Sequence, residues 1–491
     1  MPQGVRYAIQ NSKFNLTMNH LGLVIKKFVW ELYSAAGEWF CIDSCEANTQ
    51  NMWSGAIEYF KDPKQVARIQ EFFGVKIHHG SADPKAKQLY DSQNGNSIDL
   101  VHARAKSGQS KRTLGETNGH TVIKRKLNSN HVRCNLNGEK NEYASSEEEA
   151  AVATASNFTI TNYFWYYLFL FGTELGDEIF YSTFIPFWFW NIDGAVGRRI
   201  VLVWAVIMTI GQCLKDILRW PRPACPPAAR LQVKWSQEYG MPSTHAMIAV
   251  SIPFSIVLFT MNRYIYSFTI GCTVAVLWCT LVCVSRLYLG MHTVLDIIAG
   301  LALAMFLMIP LVPLVDITDY YFLTKDWALA ILVAASIATV VYYPSSDRWT
   351  PTRGDTAMVV SVTTGVHVGA WLNYRTGVMS TPLLPPPYNI IWPSYPMLGS
   401  AVLRTILGFC CIIATKAFFK FFSYATMSAI LKVNSKELMR SQNCLENRNK
   451  VLVELVYKYI TCFMIGLNAV YLLPNVFSMI GIERPTFYTE L

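Results

Sequence analysis

The sequence predicts an all-α polytopic membrane protein, with a helical bundle core, about eight to ten transmembrane helices and a largely disordered N-terminal tail. Three observations predict it. The 491 residues are 52% hydrophobic and only 15% charged, where a soluble protein carries about 25% charged residues. The mean hydropathy is +0.24. From Phe158 onward long apolar runs recur between short polar turns. The polar residues that do interrupt those runs cluster at their ends, a placement that is expensive at membrane depth and marks function.

Residues 1–155 read as a cytoplasmic tail, 156–320 as the core and 321–491 as additional C-terminal helices. The net charge of +9 lies largely before residue 141, in runs such as Lys124-Arg125-Lys126. A basic segment ahead of a first span stays cytoplasmic. Leu21 to Ile42 is broken by Lys26, Lys27, Glu31 and Glu38, unlike the unbroken apolar core of a cleavable secretory signal, so none is expected there. Val66, Ile69, Phe72 and Phe73 recur at helical spacing and predict a short amphipathic helix near 62–77, lying on a membrane or on the main body. From about Ser81 to Ser156 the composition is that of a disordered linker. The 12 cysteines show no metal-type spacing. Neither a disulfide framework nor a zinc site is expected.

A span needs roughly 20 apolar residues. Candidates fall near 158–174, 177–193, 198–215, 245–261, 264–284, 293–315, 326–343, 356–373, 399–421 and 454–481. The first two are short and aromatic, and Phe187-Trp188-Phe189-Trp190 resembles an interfacial belt. The 356–373 segment, with His367 and several threonines, is the weakest. A cytoplasmic tail followed by two short spans leaves Arg198-Arg199 cytoplasmic and carries Lys215 to the lumen; merging those two spans reverses the result. Ten spans also set the basic stretch Lys432 to Lys450 in the lumen, against the usual bias, which points to one miscounted span near 356–421.

The clusters at the run ends carry the chemistry. Lys215 and Arg222-Pro223 close one run, and Pro242-Ser243-Thr244-His245 opens the next. Ser285-Arg286 closes a third, and His292 and Asp296 open a fourth. Alternate crossing puts all of them on one membrane face. His292 and Asp296, four apart, share a helix face, and a carboxylate beside an imidazole fixes its tautomer and makes it a directed nucleophile or base. Ser243 and His245 stand at a predicted helix N-terminus, where free N–H groups and the dipole favour phosphate. Lys215, Arg222 and Arg286 add fixed positive charge, which lowers the barrier to phosphoryl transfer. With no carboxylate cluster, no magnesium site is expected, and no cofactor or nucleic-acid partner. Taken singly, each residue has a duller reading. Lys215 and Arg219 snorkel, Arg222-Pro223 kinks a loop, Ser285 bonds back to a helix carbonyl, Asp296 bridges to an arginine, and either histidine is simply hydrogen-bonded. Those readings predict neither the spacings nor the shared face.

These residues resemble the three-part signature of the type 2 phosphatidic acid phosphatase superfamily: a Lys, six residues and Arg-Pro; Pro-Ser-Gly-His; and Ser-Arg, five residues, His, three residues, Asp. Thr244 replaces the glycine of the second part, a variant that resembles the sphingosine-1-phosphate phosphatases. Gly172 to Gly176, Arg219 to Pro223, Met241 to Met247, Asp296 to Gly300 and, in the tail, Asp62 to Arg68 are similar to that subfamily as well. The resemblance implies a superfamily-type bundle in which His292 attacks phosphorus, Asp296 orients it and His245 protonates the leaving alkoxide. It implies that Lys215, Arg222, Ser243, Thr244 and Arg286 hold the phosphate, without metal. It also implies an endoplasmic-reticulum protein whose site faces the lumen and whose substrate is a sphingoid base phosphate. The loop from Ala224 to Met241, with Trp235 and Tyr239, is expected to shape the head-group pocket. The alternatives are a phosphatase acting on phosphatidate or isoprenoid phosphates, and an inactive transporter or scaffold, which the intact histidines and carboxylate disfavour. Oligomeric state stays open.

Overall fold

The computed structural model describes residues 49–77, 158–232, 234, 236–344, 350–380, 386–431 and 448–490. The expected linker at 81–156, the basic stretch between 432 and 447, and Trp235 lie outside the described residues. In chain order the elements are α1 (Thr49–Lys61), α2 (Pro63–Phe72), β1 (Val75–Ile77), β2 (Phe158–Ile160), α3 (Tyr163–Glu174), α4 (Glu178–Asn191), α5 (Gly194–Leu218), α6 (Thr244–Thr260), α7 (Phe268–Tyr288), α8 (Val294–Thr324), α9 (Asp326–Val341), α10 (Thr352–Arg375), α11 (Tyr395–Leu431), α12 (Arg448–Leu467) and α13 (Leu473–Met479). A wide turn over Asn468–Leu472 joins the last two.

Each of the ten apolar candidates falls on a helix, but among the described residues five helical stretches are long and apolar enough to cross a membrane: Gly194–Leu218, Phe268–Tyr288, Val294–Thr324, Tyr395–Leu431 and Val451–Met479. Thr244–Thr260 and Asp326–Val341 are apolar but shorter. α3, with 12 residues, is about 18 Å long and does not reach across a core about 30 Å thick. α4, with 14 residues, is about 21 Å long and falls short by the same measure, so neither short span of the sequence reading is long enough to cross.

In hydrocarbon every backbone polar group needs an internal partner, and the helices begin accordingly. The side chain of Asp193 accepts from Val196 N at the start of α5, and Asp177 from Glu178 N at the start of α4. α6 is the central rod. Nearly all of its residues are buried, and it packs against α5, α7 and α8. α10 packs against α12 and α5. There Gly365 and Gly466 face each other so closely that a Cβ on either would strike the other helix's backbone, the small-residue contact that lets membrane helices approach. At the far end of α5, Arg198 and Arg199 pair with Asp319 and Asp316 of α8, both at 3.0 Å. Lys215 lies 17 positions further along α5, about 26 Å away.

The amphipathic helix expected over 62–77 is shorter than that. Asp62 caps α2 through Lys64 N at 2.9 Å, the helix ends at Phe72, and Val75–Ile77 instead forms an antiparallel ribbon with Phe158–Ile160. This ribbon is a small departure from an all-α chain. Gln70 is fully buried and ties α2 to the core, donating to Ala229 O (2.6 Å) and Tyr288 O (2.8 Å) and accepting from Ala229 N (2.8 Å). Phe73 sits edge-on to Phe169 and Trp165. Residues 62–77 thus belong to the end of the bundle that carries Tyr288 and Arg286. A cytoplasmic position for this segment and a lumenal position for the clusters cannot both hold.

Candidate active site

α5 ends one turn after Lys215, where Arg219 adopts a left-handed conformation (φ 53°) and donates its N–H to Lys215 O. The chain then wanders to Ser243, which caps α6 through Ala246 N. α7 delivers Arg286 in its last turn. Gly290, at φ 68°, then turns the chain tightly against Ala229 O, where a side chain has no room. This bend places His292 just before Thr293, the N-cap of α8. Thr293 and Asp296 form a capping box: Asp296 Oδ2 accepts from Thr293 N (2.8 Å) and Thr293 Oγ1 from Asp296 N (3.2 Å). Ser243 N donates to Asp296 O at 3.1 Å, fastening the start of α6 to the start of α8.

The expected site residues come together in this cluster. Lys215 Nζ donates to Thr244 Oγ1 (3.0 Å) and to Glu238 Oε2 (2.6 Å). Arg222 donates to Glu238 O (2.9 Å) and Met291 O (2.8 Å), with its Nη2 3.8 Å from Glu238 Oε2. Arg286 is fully buried; its Nη1 donates to Thr173 Oγ1 (2.6 Å) and Gln232 Oε1 (2.8 Å), while Nε and Nη2 have no partner. His292 Nδ1 stands 3.7 Å from Asp296 Oδ2, longer than a hydrogen bond, and is itself without a hydrogen-bond partner. His245 is half-buried, its Nε2 also lacks a partner, and Gly176 packs on its ring. Ser243 spends its hydroxyl on the helix cap, and Ser285 bonds back to Val282 O.

The electrostatics follow from this packing. Burial, then the charges of Arg222, Arg286 and Lys215, hold the His292 imidazole well below its ordinary value, so the ring is neutral with a lone pair available. Burial pushes the Glu238 carboxyl up, but Lys215 and Arg222 outweigh it and hold the group below its usual range. Glu238 was not singled out in the sequence, where it is a lone carboxylate in a loop. Of the two residues that clamp Arg286, Thr173 lies in the Gly172 to Gly176 patch of the resemblance but was given no role there, and Gln232 carries no sequence signal. Tyr239 is buried beside this loop. Among the described residues no group of three or more His, Cys, Asp or Glu is arranged to hold a metal ion. Three buried cations, of which Arg286 has unpartnered donors, stand next to two imidazoles, an arrangement chemically suited to a small polyanion and to proton exchange with it.

The family pattern described as the PAP2 superfamily matches residues 197–318. Sphingosine-1-phosphate phosphatase 1 of Rattus norvegicus is 32% identical over 86% of this chain and 97% of its own length. The chain belongs to the PAP2 superfamily. Sphingosine-1-phosphate phosphatase 2 of Mus musculus is 37% identical over 68% of this chain and 93% of its own length. Lipid phosphate phosphatase delta of Arabidopsis thaliana is 29% identical over 40% of the chain and 49% of its own length. No solved structure matches. The PAP2 match runs from the first turn of α5 into the last part of α8, so it contains every residue of the cluster except Thr173.

Proposed function

We propose that this chain is a metal-independent lipid phosphatase that hydrolyses sphingosine 1-phosphate and related sphingoid base phosphates through a phosphohistidine. The observation that carries the reading is Arg286: a fully buried guanidinium with two unpartnered N–H donors, beside Lys215, Arg222 and a neutral His292. Unpaired buried donors of this kind fit a phosphate that brings its own oxygens. In this mechanism Lys215, Arg222, Arg286 and the backbone near Ser243 and Thr244 hold the phosphoryl oxygens. His292 Nε2 attacks phosphorus, Asp296 steadies Nδ1–H, and the 3.7 Å separation closes as the ring gains charge. His245 gives a proton to the alkoxide as the P–O bond breaks. Water then cleaves the P–N bond, returning His292 and releasing inorganic phosphate. The similarity to proteins named sphingosine-1-phosphate phosphatases supports the substrate class.

The same reading takes the protein to be a multi-pass protein of the endoplasmic reticulum membrane, with the cage facing the lumen and the helices from α5 onward in the bilayer, the shorter apolar ones included, at the lower end of the expected eight to ten. The test is hydrolysis of sphingosine 1-phosphate by membranes carrying the full chain. Turnover is expected to persist in EDTA, to be blocked by vanadate, and to fall about a thousandfold or more in His292→Ala. Near-normal turnover in that variant would reject the mechanism. Preference for phosphatidate in a competition of lipids would favour the broader lipid phosphatase.

A further inference from the structure

A small cavity of about 30 Å³ opens beside the proposed phosphate cage, and its lining includes Thr244, His245, Glu178, Asp355, Tyr181 and Trp204. It is bounded by α4, α5, α6 and α10, and His245, Thr244 and Glu238 form the wall it shares with the cage. If His245 protonates the leaving oxygen, this cavity is where the leaving group sits. Its polar atoms are unusual for a membrane interior. Asp355 is 4% exposed; Lys458 reaches only its Oδ1, at 3.7 Å, and Oδ2 has no partner. Tyr181 Oη, Trp204 Nε1 and His245 Nε2 are likewise buried without partners. A buried carboxylate oxygen with nothing to bind is costly, and its natural complement is a cation.

We propose that this cavity recognises the ammonium group of a sphingoid base. Asp355 receives the charge, Glu178 is a further hydrogen-bond acceptor in the lining, and Tyr181 and Trp204 offer hydrogen bonds to the neighbouring hydroxyl. The inference rests on the phosphatase reading above and names what that site discriminates. In a sphingoid base phosphate the ammonium is on the carbon next to the phosphate ester, so a cationic group must lie close to the leaving oxygen. Phosphatidate and lysophosphatidate carry no such cation. For them, Asp355 would be buried against neutral atoms, and a site built to pair a charged group rejects a ligand that lacks it. The phosphate cage reads only the anion. The carboxylate beside its leaving-group wall would read the head group.

The experiment is a competition in one tube between dihydrosphingosine 1-phosphate and lysophosphatidate, using membranes that carry the full chain. The quantity read is the ratio of their kcat/KM values, which does not depend on how much enzyme is folded. In Asp355→Asn this ratio is expected to fall roughly tenfold or more in disfavour of the sphingoid phosphate, in Glu178→Gln to fall by less, and in Asp355→Glu to return toward wild type. Lys458→Met, which removes the lysine partner of Asp355 but leaves its carboxylate, is expected not to lower the ratio. A ratio within twofold of wild type in Asp355→Asn, as for a cavity that holds only water, overturns the subsite. A ratio that falls equally in Lys458→Met overturns it too, because Asp355 would then act by holding α12. A wild-type enzyme that cleaves lysophosphatidate and not the sphingoid phosphate overturns the substrate reading itself, which the variant ratios alone do not.

Discussion

Lys215 and Arg222 face a protein carboxylate, Glu238, in the region where the mechanism needs a phosphate. Glu238 therefore screens the buried cations, and it must give way or share them when an anion enters. Glu238→Gln is expected to tighten inhibition by inorganic phosphate or vanadate, read as a lower Ki; a raised Ki would mean that Glu238 orients the cations instead of competing for them. Arg286 has the opposite character. Thr173 and Gln232 fix one nitrogen so that the rest of the fork is presented rigidly, and a lysine cannot reproduce both contacts. Arg286→Lys is expected to lower kcat/KM about a hundredfold, measured on membranes normalised for protein. The neutral ring of His292 also gives a signed pH dependence. Because the imidazole is held below its ordinary value, it stays unprotonated as the pH falls through about 6.5, and activity persists on the acid side. Arg222→Gln removes the largest of the charges that depress it. The acid limb of kcat/KM should then move to higher pH; a limb that stays in place would contradict the electrostatic account. The reactive residues were legible in the sequence because their spacing and their cost at membrane depth coincide. Glu238 and Gln232 were not, and Thr173 only as part of a resembling patch without a role, because each is a polar residue near a helix end or in a loop, where such residues need no explanation.

The ten apolar runs were legible as elements, since hydrophobic length alone signals a buried helix. Whether each crosses the bilayer was not. α3 reads as apolar, yet its 12 residues are too few to span, and Thr173 near its end serves the cage. α10 read as the weakest segment because of His367 and its threonines. Two of those hydroxyls bond back to carbonyls of their own helix, Thr363 to Val359 O (2.8 Å) and Thr364 to Val360 O (2.7 Å), and Thr356 donates to Gln212 of α5, so the threonines are satisfied inside the bundle. Hydropathy scores the residue type and not its partner, which is why it undervalues such a helix. The Gly365–Gly466 approach makes α10 intolerant of bulk. Gly365→Leu is expected to destabilise the protein by several kcal/mol, in the upper range of overpacking effects. A thermal-aggregation midpoint of the detergent-solubilised protein within a degree of wild type would contradict the contact.

For the whole molecule, residues 62–77 were legible as amphipathic, but the choice between a membrane surface and the main body was not. Gln70 is the reason: a buried glutamine that pairs with the backbone of Ala229 and Tyr288 looks, in sequence, like a polar face turned to water. Its docking puts the segment on the side of the cage, so a lumenal site requires a lumenal ribbon. An epitope inserted between residues 78 and 157 is expected to resist protease in sealed microsomes and to be cut once detergent is added. Digestion without detergent would put the cage in the cytoplasm. Beneath all of this lies the convergence of groups from Lys215 to Asp296 on one anion. The measurement that bears on it most directly is acid-free quenching of a single turnover with 32P-labelled sphingosine 1-phosphate, followed by mapping of the label. The account predicts an alkali-stable, acid-labile phosphate on the peptide that contains His292, absent in His292→Ala. Turnover by the wild-type enzyme with label on another residue, or with none bound to protein at any time point, would contradict it.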